Sequence, residues 1–336
     1  MNYRYFLLVV LSLTFLPLAS RALPDGVVDT SRSDTVARKP SLWVYSLKTN
    51  IGFSQTQFTR WASGGYNTAT LATYVDATLD LLQGAVMVKN RLQVDHGILV
   101  SEEKPVPQIS KDRLYLESRA QYISPIRHVM YLGTFDLKTQ ITNNYTYTTP
   151  TVEDPTAADW KATRVLKSAP FAPGYINMGL GATWSTWKWL TVSYTPLTFG
   201  LVTTSNVSLR KNYGMPLRSQ YESIESPEDY MYHSQRFEFG SQLKIDIKVN
   251  LRRNMEWISQ LSLFTDYLAF EKSRLNLDTK FYWKLSRFFT LTVSNFNIYD
   301  GSVLVVDEDH PGGRKVWQLK EFIEFGFTYS MASKKH

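Results

Sequence analysis

The sequence contains no cysteine. That excludes a disulfide framework and an N-terminal lipid anchor attached through cysteine. After the first 22 residues no stretch approaches 18 consecutive apolar residues, so no helical membrane span is expected. Clustered basic charge is also missing. The net charge is +7, and its basic residues are dispersed, which argues against a nucleic-acid partner. No His/Glu spacing of the zinc type occurs, and no cofactor is expected.

The N-terminus has the marks of a secretory signal. Arg4 precedes the apolar run "YFLLVVLSLTFLPLA", and Ser20 and Ala22 place small residues where a signal peptidase reads. Cleavage after Ala22 removes Arg4 and Arg21 and no acid, leaving about +5. Residues 23–40 are polar and aperiodic and read as a flexible periplasmic tail. Aromatics make up 14% of the chain, with 20 Tyr and 9 Trp, while mean hydropathy is −0.24. A strand with one face in lipid and the other in water averages to such values.

From about residue 41 to 331, period-2 alternation dominates. In "FEFGSQLKIDIKVNL", Phe237, Phe239, Leu243, Ile245, Ile247, Val249 and Leu251 share one face. Glu238, Gly240, Gln242, Lys244, Asp246, Lys248 and Asn250 share the other. Twelve such runs are expected, at about 42–56, 68–82, 85–100, 112–123, 127–142, 174–187, 189–202, 235–251, 255–269, 274–286, 288–300 and 318–331. Their length suits a tilted membrane crossing better than a soluble sheet. The joints between them alternate between long and tight, as external loops alternate with periplasmic turns. The reading is an all-β antiparallel transmembrane barrel of about twelve strands over residues 41–331, with 332–336 as a C-terminal tail.

Aromatic residues recur at strand ends. Trp187, Trp189, Trp257, Trp283 and Phe288 lie near tight joints, and Tyr175, Tyr267 and Tyr299 near the outer ends. Amphipathic rings belong at the two membrane interfaces. The last strand carries Glu324, Gly326, Tyr329 and Met331 at a polar-x-Gly-x-x-aromatic-x-hydrophobic spacing. This looks like the terminal signal read by the barrel assembly machinery, an expected partner during insertion. Outer-membrane lipids and lipopolysaccharide are the other expected surroundings.

Trp61, Gly64, Gly65 and Asn67 form W-x-x-G-G-x-N at the mouth of the second strand. Glycine allows φ > 0, and Asn tolerates the left-handed region, so a turn accounts for them locally. Further on come "APGY" (172–175), "YTPLTF" (194–199), "FTDYL" (264–268) and "NIYD" (297–300). Together these points resemble an uncharacterised outer-membrane barrel family of the Bacteroidota, classed as a domain of unknown function. The resemblance implies fold and location and supplies no catalytic residue or ligand.

The inferred lumen carries Lys89, Arg91, Asp95, Glu117, Arg119, Asp136, Lys138, Glu238, Lys244, Asp246, Lys248, Asp266, Asp278, Lys280, Lys284 and Glu324. An ion-selective channel should show one sign of charge. The mixture here fits ion pairs that cross and partly fill a narrow lumen. Twelve strands is also the size of the outer-membrane phospholipase, which uses Ser, His and Asn on its lipid face. Here His96 takes such a place, but position 98 is Ile and no matched Asn is apparent. His128 and His233 lie near strand ends, His310 in a loop and His336 at the terminus, so no enzyme is expected. The long segments 142–173 and 203–233 suit a lid or a docking surface. Two functions remain: a structural or accessory subunit of a barrel-assembly, secretion or uptake complex, and a small-solute diffusion pore.

Overall fold

The computed structural model describes residues 43–56, 68–307 and 310–332. The signal segment, the N-terminal tail, the last four residues and the motif Trp61, Gly64, Gly65 and Asn67 lie outside the described residues. Alternating sequence becomes strand nearly throughout. In chain order the elements are β1 (Trp43–Thr56), β2 (Thr68–Gln83), β3 (Val86–Ser101), β4 (Gln108–Ile123), β5 (Val129–Thr139), β6 (Asn144–Tyr147), α1 (Ala157–Ala162) and β7 (Arg164–Ser168). There follow β8 (Gly174–Trp187), β9 (Leu190–Thr203), β10 (Gln235–Arg252), β11 (Met255–Asp266), β12 (Arg274–Lys284), β13 (Phe289–Asp300), β14 (Val305–Asp307), β15 (His310–Arg314) and β16 (Gln318–Ala332).

Twelve of these strands form one closed antiparallel barrel, in the order β1-β16-β13-β12-β11-β10-β9-β8-β5-β4-β3-β2. The pairs β6–β7 and β14–β15 are small ribbons in the connections. Closure joins the first strand to the last, with Gly52 opposite Gly326 and Phe53 opposite Phe325. Closure removes the sheet edge, which lipid could not satisfy. The seam has its own internal bond: Asn50 Nδ2 donates to Thr328 Oγ1 at 2.8 Å.

The joints sort by length as expected. The β2–β3 turn is two residues, with Gly84 at φ 56°, a conformation that glycine adopts without strain. Both ends of the barrel sequence lie at the tight-turn end, and among the described residues the long connections lie at the other. Strand ends depart from the alternation where local chemistry intervenes. β4 begins at Gln108 rather than near 112, because Ser110 is an extra residue in a bulge between Ile109 and Lys111. A bulge breaks the two-residue period. β5 stops at Thr139, because the Asp112 carboxylate takes the N–H groups of Ile141 and Thr142 at 2.8 and 2.9 Å. In "YTPLTF", the register of β9 slips beside Thr195 and Pro196, where proline lacks a ladder donor.

The outward face is apolar and bare. Phe237 is 77% exposed, Ile323 70% and Phe199 63%. Such a belt belongs in lipid rather than water. At the tight-turn rim Trp187 stacks on Trp189 at 5.5 Å, and Phe288 on Phe327 at 5.5 Å. At the opposite rim Phe239 meets Tyr267, and Tyr299 meets Trp317. Tyr175 departs from the expected girdle: its hydroxyl donates to Asp300 Oδ2 at 3.0 Å inside the lumen. It is odd-numbered on β8, the face that also carries inward Asn177.

Ile245 lies near the middle of β10 on the lipid face. Ile245→Arg is expected to cost about 2–4 kcal/mol at the bilayer midplane. Asp246→Asn, one residue away and inward, should leave insertion intact. Folding titrations into lipid vesicles check both, and reversed sensitivities would move the register by one residue.

Candidate functional site

The polar faces of the twelve strands meet in the lumen, where they build a layer of ion pairs at mid-depth. Lys244 Nζ on β10 lies 2.9 Å from Glu117 Oε1 on β4 and 2.7 Å from Asp136 Oδ1 on β5. Arg119 contacts Glu117 at 2.9 Å and Asp246 at 3.1 Å. Arg113 bridges Asp95 at 2.7 Å and Asp278 at 2.8 Å. β4 and β12, the strands of Arg113 and Asp278, stand on opposite walls of the ring. The side chains of Lys244, Glu117 and Asp136 are only 5–6% exposed.

Further ties lie below and above this layer. Toward the tight-turn end, Arg91 pairs with Asp76 at 2.6 Å, and Lys48 with Glu256 at 3.5 Å across the lumen. Lys280 lies 3.8 Å from Asp95 and 3.9 Å from the centre of the Tyr74 ring. At the outer end Glu238 is fully buried between two guanidinium groups, Arg236 at 2.8 Å and Arg274 at 2.5 Å. Arg274 is also held between the Phe264 and Tyr175 rings, at 4.4 and 5.1 Å. Lys111 pairs with Glu324 at 2.7 Å beside the seam.

The expected lumen residues thus have different surroundings. Arg91, Asp95, Glu117, Arg119, Asp136, Glu238, Lys244, Asp246, Asp278, Lys280 and Glu324 belong to the ties above. Lys89 and Lys284 are exposed at the tight-turn rim. Lys248 is there too, 3.1 Å from Glu256 and mostly exposed. Asp266 receives the Leu268 N–H at the outer end of β11. In the C-terminal pattern Glu324 and Gly326 face inward, whereas Tyr329 and Met331 are exposed on the outside.

Arg113, Arg236, Arg274, Asp300, Tyr175 and Asp76 were not among the expected site residues. Each sits two residues from one on the same face, or on the face of an alternating run. Following the alternation to the strand ends would have found them. The quoted landmarks also touch one another in pairs. Tyr175 of "APGY" bonds Asp300 of "NIYD", Phe264 of "FTDYL" supports Arg274, and Tyr267 OH donates to Pro196 O of "YTPLTF" at 3.0 Å.

Above the ion-pair layer lies a cavity of about 1,140 Å³. Its floor and walls include Arg113, Lys138, Lys244, Asn276 and Asp278, and loop residues Leu166, Lys167, Asn212 and Tyr213 reach over it. The two long connections are packed together there. Tyr213 OH donates to Lys167 O at 3.0 Å, and Leu166 and Tyr213 pack on a small core of Ala169, Ala172 and Leu209. Gly214, at φ 62°, lets the backbone approach Arg236, which donates to its carbonyl at 2.6 Å. Burial in this loop core pushes the Tyr213 hydroxyl up to about 12. α1 opens with a capping box, Thr156 with Asp159, whose hydrogen bonds hold the Asp159 carboxyl below the usual carboxylate range.

Three of the histidines, His96, His128 and His233, lie among the described residues. His96 stands opposite Asp112 in the ladder, but that carboxylate holds Ile141 and Thr142. His128 sits in the β4–β5 turn at φ 63°, and the His233 N–H donates to Pro216 O. The His310 side chain and all of His336 lie outside the described residues. Among the described residues no group of three His, Asp or Glu is placed to hold a metal ion.

Lys244→Met leaves Glu117 and Asp136 buried without their shared cation and is expected to cost about 3–5 kcal/mol. Lys248→Met, at the wet rim, should cost about 1 kcal/mol or less. Denaturant midpoints of the folded barrel in detergent measure the difference.

The barrel is similar to several solved outer-membrane proteins. An outer membrane channel from Pseudomonas putida F1 aligns at 9% identity and a TM-score of 0.38, over 92% of this chain and 100% of that one. The translocator domain of the autotransporter NalP from Neisseria meningitidis aligns at 10% identity and 0.35, over 87% and 89%. The KdgM porin aligns at 8% identity and 0.27, over 85% and 97%. No curated protein sequence matches the chain. Residues 53–145, from the end of β1 through β5 to the start of the first long connection, match the family described as Protein of unknown function (DUF3078).

Proposed function

We propose that the chain is an outer-membrane barrel whose lumen is closed, and that it serves as a structural or accessory subunit of a larger outer-membrane assembly. The observation that carries this reading is the buried tie across mid-lumen, with Arg113 joining opposite walls and Lys244 joining β10 to β4 and β5. A diffusion pore needs a continuous polar path, and mixed, mutually neutralised charge gives no ion a reason to enter. The external connections, packed on one another, offer an ordered surface to a partner. Barrel assembly, secretion and uptake machineries are the classes of partner this surface suits.

A second reading, a small-solute pore, is favoured by the outer cavity of about 1,140 Å³. The barrel would then open by rearranging the ion-pair layer. No enzymatic role is assigned.

Planar-bilayer recording of the purified protein, beside a mild-detergent pull-down from its native membrane, separates the two. The accessory reading expects a silent barrel that brings down a larger outer-membrane complex. Steady open channels without a co-purifying protein would overturn it.

A further inference from the structure

Lys138 lies on β5 two residues beyond Asp136, so its ammonium enters the outer cavity above the ion-pair layer. Its hydrogen bond is to a neutral amide: Nζ donates to Asn276 Oδ1 at 3.4 Å. The carboxylates that line the same cavity are engaged elsewhere. Asp95 and Asp278 hold Arg113, and Asp136 holds Lys244. Asp112 holds Thr142, and Asp300 holds Tyr175. An ammonium has three donors, and one long bond to an amide leaves most of that capacity unused, with Asp278 and Asp300 attracting the charge only from a distance. Of the other cations on the lining, Lys111 and Arg274 pair with Glu324 and Glu238, which lie outside it, and Arg113 and Lys244 belong to the ion-pair layer.

The rest of the lining is rich in carboxamides, with Gln140, Asn212, Gln242, Gln260, Asn276 and Gln318 all on it. A carboxamide both donates and accepts, which matches a hydroxyl group rather than a second charge. Asn177 adds a buried Oδ1 without a partner, and such an atom is open to a donor. The volume of about 1,140 Å³ is a little above the range of small-molecule pockets, roughly 300–1,000 Å³, and exceeds the need of a simple ion. We propose that this cavity binds an acidic oligosaccharide, with a sugar carboxylate on Lys138 and sugar hydroxyls on the surrounding carboxamides. The site goes beyond the accessory role and stands whether or not the barrel conducts.

The test is titration calorimetry on the mature, full-length barrel in detergent, with triglucuronate, maltotriose and inorganic phosphate as probes. Triglucuronate should bind saturably, and maltotriose and phosphate at least roughly tenfold more weakly, the scale of one lost charge-assisted hydrogen bond. Lys138→Arg should retain binding, and Lys138→Gln should lose roughly tenfold or more. Asn276→Asp keeps the lysine and supplies an internal counter-charge, so it should also lose binding. It serves as the readout if Lys138→Gln does not fold, as judged by heat-modifiable gel migration. Absence of triglucuronate binding by the native barrel would overturn the proposal. So would phosphate or maltotriose binding as tightly as triglucuronate, or full affinity in Asn276→Asp.

Discussion

The amino group of Lys244, shared by Glu117 and Asp136, is the contact on which the interior depends. A closed barrel satisfies every backbone group through its neighbours, but it also turns half of its side chains into a confined lumen. In this chain that half is charged. Charges removed from water are costly unless paired, so opposite signs must sit at matching depths on different strands. Arg113, Arg119 and Lys244 meet this demand by reaching carboxylates on other walls. The result is a network of buried ion pairs at mid-depth, with more exposed charges at the tight-turn rim and a cavity above.

The outer end follows from the same constraint. Glu238, buried between Arg236 and Arg274, ties β10 to β12, and Arg236 continues upward to the carbonyls of Tyr213 and Gly214. One guanidinium therefore joins the barrel wall to the second long connection. That connection in turn packs on the first through Leu209, Ala169 and Ala172. The long segments behave as an ordered roof, which is why they can shape a cavity as well as present a surface.

Much of this was legible in the residues. The alternation in "FEFGSQLKIDIKVNL" separates Lys244 and Asp246 from Ile245 and Ile247, because a strand projects successive side chains to opposite faces. The parity of loop lengths, with tight joints at Gly84 and Asn254 and long ones between, orients the barrel. What escaped was governed by contacts between distant strands. Ser110 hides the start of β4 because a bulge shifts the period. Tyr175 reads as an interface ring until Asp300, on a strand across the lumen, is seen to hold it. Which carboxylate each lysine meets depends on barrel closure and stagger, and no local pattern carries that information. Lys138 looks like any other inward lysine until its neighbours are found engaged elsewhere.

The proposed closure of the lumen at the level of Lys244 can be tested directly. Because the chain has no native cysteine, single introduced thiols report on it without background. Asn276 lies above the layer, and Asn250 faces inward below it at the tight-turn rim. The decisive measurement is the labelling rate of Asn276→Cys and Asn250→Cys by a membrane-impermeant thiol reagent, added to sealed vesicles with the long loops outward. A sealed lumen predicts rapid labelling at 276 and none at 250 until the vesicles are opened. Comparable labelling at both positions in sealed vesicles would contradict the account.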